Sequence, residues 1–442
     1  MALNATVMKA VEQLGYRVTV GDVATQAGLN VEVAQSDLLA LAAETQAHLQ
    51  VSEAGEIAYE FPRNFRGILQ SKYWRLRLQQ TWERVWHVLF YLIRISFGVL
   101  LLASIALIFV AIAIILIAMS SSRSEGDGDR GGGFGSGGGF VFVPRFWFGP
   151  DLFWFFNYDY GTRRYPRTKP RAGAKSELNF FEAIFSFLFG DGDPNADLEE
   201  RRWQTIGTLI RDTDGVVIAE QITPYLDNLG QGWSKEYEDY MLPVLSRFNG
   251  LPEVTPEGSI VYRFPDLQVT ASDRRRASLS AYLKEIPRRF SLATSGQIML
   301  AIGLGAANII GALVLGGLLQ DQVLVAELGG LVAFVNSIYW LLLAYGTAFL
   351  SIPLVRYFWV QWRNGKIESR NELRQQQAIA LNRAGAEVQK KLAYAKQFAR
   401  RSVVNKENLA YTTEQDLIEQ EAAQRDKLDA QWQKRLEERG NP

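Results

Sequence analysis

Asp191, Asp193 and Asn195 alternate in the stretch FGDGDPN, the oxygen-donor spacing with which a calcium loop begins. A twelve-residue calcium loop also needs a glycine at its sixth position and a bidentate glutamate at its twelfth. Counted from Asp191, those positions hold Ala196 and Arg202. The weak calcium candidate is therefore rejected, and the stretch is read as a turn leading into a helix. Asp197, Glu199 and Glu200 suit the positive N-terminal end of that helix. No other chemistry-bearing pattern takes its place. The chain has no cysteine, which excludes disulfides, thiolate catalysis and cysteine-ligated zinc or iron–sulfur clusters. Its two histidines, His48 and His87, lie far apart in the sequence. GLGAAN at 303–308 follows no strand, and GDGDRGGGFGSGGG lacks the Gly-Lys-Ser/Thr ending of a phosphate loop. The sequence thus predicts a protein without enzymatic activity, catalytic residues, cofactor or metal.

The elements around these stretches are those of a membrane protein. Ile95 to Met119 is an uncharged run long enough to cross a hydrocarbon core. Two further spans are expected at 296–319 and 328–355, with Tyr357 and Trp359 in an interfacial belt. Gly303, Ala307 and Gly311 stand four apart and predict close helix packing, with Asn308 and Asn336 as polar glue.

The soluble sequence contains a repeat. RVTVGDVATQAGLN (17–30) lies over GVVIAEQITPYLDN (215–228), and AGEIAYEFP (54–62) over EGSIVYRFP (257–265). Each copy reads as helix, short strand, helix, helix and hairpin, an order that resembles a winged helix. The predicted fold is a mainly α membrane protein with two winged-helix-like α+β modules, about three transmembrane helices and a long charged helical tail.

The expected domains run in order. Module 1 occupies 1–66, followed by a basic helix and the first span at 67–119. A Gly-rich linker with an aromatic and basic segment fills 120–178. An amphipathic segment and module 2 occupy 179–270, then a basic juxtamembrane segment at 271–295. The spans at 296–319 and 328–355 precede the tail at 363–440.

Net charge is zero overall but uneven along the chain. Residues 1–60 hold two bases against eight acids, and 197–267 hold six bases against thirteen acids. Such modules repel phosphate, which disfavours nucleic acid and favours protein partners. Interaction candidates are Glu32, Asp37, Glu44, Tyr59 and Phe61 in module 1, and Glu236, Glu238, Asp239, Tyr262 and Phe264 in module 2. Membrane lipid is the other expected partner, touched by the aromatic segment at 140–161 and the basic stretch at 163–171. Phe181, Ile184, Phe185 and Leu188 form an apolar face too short to cross a bilayer, set to lie in the interface or on module 2.

In the tail, Leu381, Val388, Leu392, Ala395 and Ala399 form an apolar seam, and Thr412 with Gln415 forms a capping box for a last helix. Oligomers are expected through the second span or this tail. Basic clusters flank all three spans, so both termini are placed in the cytoplasm. Three simple crossings cannot satisfy all three clusters, so either module 2 is exported or the chain crosses again.

FSFLFGDGDPN followed by LEERRW resembles a family of integral membrane proteins from cyanobacteria with relatives in plant plastids. Some plastid relatives carry an iron–sulfur biosynthesis label, to which a chain without cysteine gives no chemical support as a cluster scaffold. The resemblance implies a photosynthetic or plasma membrane. The expected function is a non-enzymatic membrane scaffold or assembly factor that recruits protein partners through its acidic modules. The alternatives are a membrane-tethered winged-helix transcription regulator and a transporter or channel subunit.

Overall fold

The computed structural model describes residues 4–72, 74–122, 178–227, 229–230, 236–272, 278–383, 385–405 and 408–422, together with 425, 429, 432 and 433. The Gly-rich, aromatic and basic stretches between 123 and 177 lie outside the described residues, as do Arg274, Arg275 and Arg276. The chain is mainly helical with small sheets. It divides into two units. The first comprises Met1–Trp82, Asp193–Pro287 and Asn364–Pro442; the second comprises Glu83–Gly192 and Arg288–Arg363.

Module 1 opens the first unit: α1 (Ala5–Gln13), β1 (Arg17–Val18), α2 (Val20–Ala27), α3 (Val31–Thr45), β2 (His48–Ser52), β3 (Ile57–Glu60) and α4 (Phe65–Lys72). Local sequence sets the boundaries. Thr19 and Asp22 form a capping box at the start of α2, Gly28 ends it in the left-handed region, and Asn30 caps α3. Next come α5 (Trp74–Ser122) and α6 (Phe180–Phe189).

Module 2 repeats the order with α7 (Leu198–Asp212), β4 (Val216–Val217), α8 (Ala219–Ile222), α9 (Leu242–Phe248), β5 (Leu251–Val254), β6 (Ile260–Arg263), α10 (Pro265–Gln268) and β7 (Val269–Thr270). The repeat holds at the level of single bonds. Val18 pairs with Tyr59 as Val217 pairs with Tyr262. The Phe61 amide donates to the Tyr16 carbonyl, as the Phe264 amide does to that of Gly215, both at 2.8 Å. Gly55 and Gly258 close the two hairpins at φ +80° and +83°, a region glycine enters without penalty. These pairs correct the expected alignment of the first segment by one residue. Val18 matches Val217, and Asp22 matches Gln221, so Glu220 is not the counterpart of the capping acid. Side-chain direction alternates along a strand, and that makes a one-residue offset decisive.

The chain continues with α11 (Ser295–Leu318), α12 (Gln322–Leu328), α13 (Gly330–Asn382), α14 (Ala386–Phe398), β8 (Ser402–Val403) and β9 (Leu409–Thr412). Among the described residues three helices are long and apolar enough to cross a membrane: Arg84–Ser121 within α5, then α11, then α13. In the second unit α11 turns a stripe of Ala301, Gly305, Asn308, Ala312 and Leu315 inward. A Cβ on Gly305 would come within 2.7 Å of Phe349, and one on Gly311 within 2.9 Å of Ile108, so these glycines permit the close approach. Gly303, expected at that interface, is exposed with nothing within 4 Å of its would-be Cβ. Ala307 and Asn336 are half-buried. Asn308 is fully buried and donates to the Ser104 hydroxyl on α5. The α6 helix buries Ile184, Phe187 and Leu188 among Leu101, Ala301 and Phe349, so it packs on the apolar helices of its own unit.

The tail departs furthest from expectation. The seam of Val388, Leu392, Ala395 and Ala399 packs on Val216, Ile218 and Val261, so module 2 itself is its partner. Thr412 does not start a helix. It ends β9, which joins β2 to give the sheet order β1-β3-β2-β9, and β8 runs parallel to β7. The Gln420 side chain bonds both the amide and the carbonyl of Thr412, at 2.9 and 2.7 Å.

Candidate functional site

The two modules and the tail share the first unit, and three clusters of charge join them. Asp22 is the first node. It stands buried at the third position of α2, where its carboxylate accepts from the Thr19 amide at 3.0 Å, the Ala271 amide at 2.9 Å and the Thr270 hydroxyl at 3.0 Å. Arg211 of α7 adds an ion pair at 2.6 Å. A carboxylate so fully supplied with donors is a structural acceptor with no lone pair left for a ligand. Arg17, one of the two bases in residues 1–60, is engaged by Gln50 and the Ala271 carbonyl, both at 2.8 Å.

The second node lies under residues 364–382 of α13. Glu285 takes both arms of Arg370, at 2.7 and 2.6 Å, and Arg374 at 2.9 Å. Arg374 also reaches Asp227, to which Arg202 of α7 donates from the other side. Arg374 and Glu285 are only 2% and 3% exposed. Burial alone would raise the carboxyls of Asp227 and Glu285, but bonds and charge from Arg374, Arg202 and Arg370 outweigh it and hold both below their ordinary range.

The third node holds α14. Lys391 sits between Glu220 at 2.9 Å and Glu238 at 3.2 Å, and the Tyr262 hydroxyl donates to Glu238 at 2.7 Å. Burial would lower the lysine, yet the two carboxylates raise it. Burial first, and Glu238 after it, pushes the Tyr262 phenol up.

These shifts set a pH window. Asp227 and Glu285 stabilise the fold fully above the ordinary carboxylate values of 3.8 and 4.5, and the gain is lost as pH falls through their lowered folded values. Lys391 stabilises it fully below 10.5, and that gain is lost as pH rises through its raised folded value. Thermal midpoint plotted against pH is therefore expected to form a plateau with both limbs. Lys391→Met should lower the plateau and flatten the alkaline limb while leaving the acid limb in place. An alkaline limb of unchanged height in that variant would refute the assignment.

The residues expected to meet partners divide into two groups. Tyr59, Phe61, Tyr262 and Phe264 are buried core side chains and correct the expectation of a surface role. Short strands beneath two helices turn these aromatic rings inward, where Tyr59 and Phe61 stack 6.5 Å apart. Glu238 is held inside by Lys391 and Tyr262. Glu32, Glu236 and Asp239 are exposed, and Glu44 is half-buried. Asp37 is half-buried and accepts from Asn4 at 2.8 Å. Among the described residues no group of three His, Asp or Glu could hold a metal. The stretch that opens like a calcium loop is used internally. In the second unit Asp191 accepts from Ser186 at 2.6 Å, from the Leu292 amide at 2.8 Å and from Arg94 at 3.3 Å. In the first unit Asp193 accepts the Asn195 amide at 3.0 Å, and Asn195 pairs with both backbone groups of Ile286 at 2.8 Å.

The nodes include residues that sequence reasoning passed over. Arg202 carried a signal, since it shares the buried stripe of α7 with Ile206 and Ile210. Arg374 likewise falls on the stripe of Ile367 and Ala378. Glu285 lies in a segment without periodicity and gave none.

The fold is thus mainly helical, with helices long and apolar enough to cross a membrane and two repeated α+β modules bound together by its own tail. No family model matches the chain. No solved structure matches it. It is 39% identical over 426 residues to an uncharacterized chloroplastic protein of Arabidopsis thaliana, an alignment covering 93% of this chain and 79% of the plant protein. The chain belongs to the family of that chloroplastic protein. The three apolar helices and the chloroplastic relative are consistent with a plastid-related membrane protein.

Proposed function

We propose that the protein is a non-enzymatic membrane scaffold or assembly factor of a photosynthetic membrane, recruiting a protein partner through its acidic, winged-helix-like modules. The observation that carries this reading is the outward face of α3, the helix with which a winged helix would read DNA. It presents Glu32, Val33, Gln35, Ser36, Leu39 and Ala43, with no base among them. Val33 and Leu39 are each 46% exposed. Apolar side chains beside an acid suit a protein surface, whereas phosphate needs Lys and Arg. The bases at one end of the hairpin α11–α13, against Asp321 and Glu327 at the other, support a cytoplasmic or stromal position for the chain termini.

Val33→Asp with Leu39→Asp, both on a solvated face, should leave the fold intact. Stoichiometric companions of a tagged protein, purified gently from native membranes, should be reduced by tenfold or more, on the order expected for two lost contacts of 1 kcal/mol or above. Companions retained at full stoichiometry by this variant, or lost from the wild type on nuclease treatment, would overturn the reading. The second outcome would favour a membrane-tethered regulator.

A further inference from the structure

Both copies of the repeat end in a hairpin, and laying Gly55 on Gly258 puts Leu49, Val51 and Glu53 on Pro252, Val254 and Pro256. Hydrogen bonds fix which way these positions face. The Ser52 amide donates inward to the Glu56 carbonyl at 2.8 Å, as that of its counterpart Thr255 does to Ser259 at 2.7 Å. Bonding direction alternates along an antiparallel strand. Leu49 and Val51, like Pro252 and Val254, therefore turn their backbone groups to the outer edge of the sheet.

In module 1 that edge is occupied. The tail strand β9 lies along β2 with Tyr411 opposite Val51. The Leu49 carbonyl accepts from the Thr413 amide at 3.0 Å, and the Leu49 amide donates to the Thr413 hydroxyl at 2.9 Å. At the turn, the Glu53 amide donates to the Asn408 carbonyl at 3.0 Å. Module 2 cannot repeat this row, because the counterparts of Leu49 and Glu53 are prolines without an N–H. Its β5 ends the sheet order β4-β6-β5, and among the described residues no strand pairs with its outer edge. Leu251 and Val254 are 44% and 64% exposed there.

An exposed apolar edge invites strand addition, and a proline whose nitrogen faces outward blunts it. Pro256 also suits its turn, in which the Gly258 amide donates to the Thr255 carbonyl at 2.9 Å. Pro252 stands inside the strand, where no turn calls for it. The tail does meet module 2: α14 packs on Val216, Ile218 and Val261, and β8 runs along β7. It forms its last strand on module 1 all the same.

We propose that Pro252 and Pro256 determine which copy of the repeat accepts a strand. They close the outer edge of β5 and thereby assign Leu409–Thr412 to β2 of module 1. This selection is separate from the proposed partner surface on α3, so its failure leaves the scaffold reading standing.

The test uses the full chain carrying Val254→Cys, its only thiol, and a synthetic peptide of residues 408–414 with Tyr411→Cys. Disulfide formation between them reports strand addition on β5. With both prolines present the yield should stay at the level of an unrelated cysteine peptide. Pro252→Leu with Pro256→Glu should raise it by about tenfold or more, the scale of two backbone hydrogen bonds. The reverse exchange, Leu49→Pro with Glu53→Pro, should speed amide exchange across 409–412 by a similar factor. The Ser52 amide, bonded inward, should stay protected. Glu53→Pro alone changes an exposed turn residue and provides a folded variant if the double one fails. Three results would overturn the proposal: equal cross-linking with the prolines present, no gain when they are replaced, or unchanged protection of 409–412 when they are moved to module 1.

Discussion

Glu285→Ala is expected to destabilise the first unit by about 3–5 kcal/mol, the cost of removing one partner from a buried ion pair. The cost arises on the residue left behind. Arg370 is partly exposed and can recover water. Arg374 is 2% exposed, and after the substitution its guanidinium keeps only Asp227 and the Leu283 carbonyl at 2.8 Å. Glu285→Gln keeps the volume and part of the hydrogen bonding, so its effect should be smaller. Glu285→Leu combined with Arg374→Leu removes both buried charges, and this pair should recover much of the loss. A double-mutant cycle separates coupling from packing. The chain holds two units, so a local reading assigns the loss to the first of them more directly than a global midpoint does. Amide exchange in α7 and in residues 364–382 should accelerate by two to three orders of magnitude in the alanine variant, on the scale of that free energy. Unchanged protection in both segments would show that the cluster contributes no stability.

What could be read from the sequence follows from the range over which each interaction acts. The repeat was legible because turns, caps and strand alternation are local. Gly55 and Gly258 close matching hairpins, and Tyr59 and Tyr262 keep matching partners. The apolar helices were legible because length and hydropathy suffice. The alignment slipped by one residue at Val18 and Val217, where a two-residue strand leaves too little alternation to set the register. The strand β9 was not legible. Four residues, LAYT, pair with β2 more than 350 positions away, and nothing in their neighbourhood signals a partner. The same distance hid the charge clusters, since Arg374 and Asp227 meet across 147 positions. Gly303 shows a further limit. Small residues four apart predict a close-packed face but not which of two overlapping faces turns inward, and here the stripe through Gly305 does so. Tyr59 and Tyr262 lie on the hairpin strands while Phe61 and Phe264 stand just past their ends, and all four were wrongly expected at the surface, because these short strands bury consecutive positions such as Ala58 and Tyr59.

Single cysteines in this cysteine-free chain are expected to give an all-or-none pattern. A membrane-impermeant thiol reagent should reach Glu53→Cys and Glu257→Cys from the same face, and Gln322→Cys only from the opposite face. All three positions are exposed, so none should disturb packing. The argument rests on contacts within the first unit. β9 of the tail pairs with β2 of module 1, and Thr270 and Ala271 of module 2 bond to Asp22 of module 1. Pieces in such contact lie on one face of any bilayer the apolar helices cross, so module 2 is not exported away from module 1. The segment Arg288–Arg363 contains two candidate spans, and two crossings there are expected to return the chain to the face it left. Labelling of Glu257→Cys from the face opposite Glu53→Cys would break the shared core of the two modules and with it this topology.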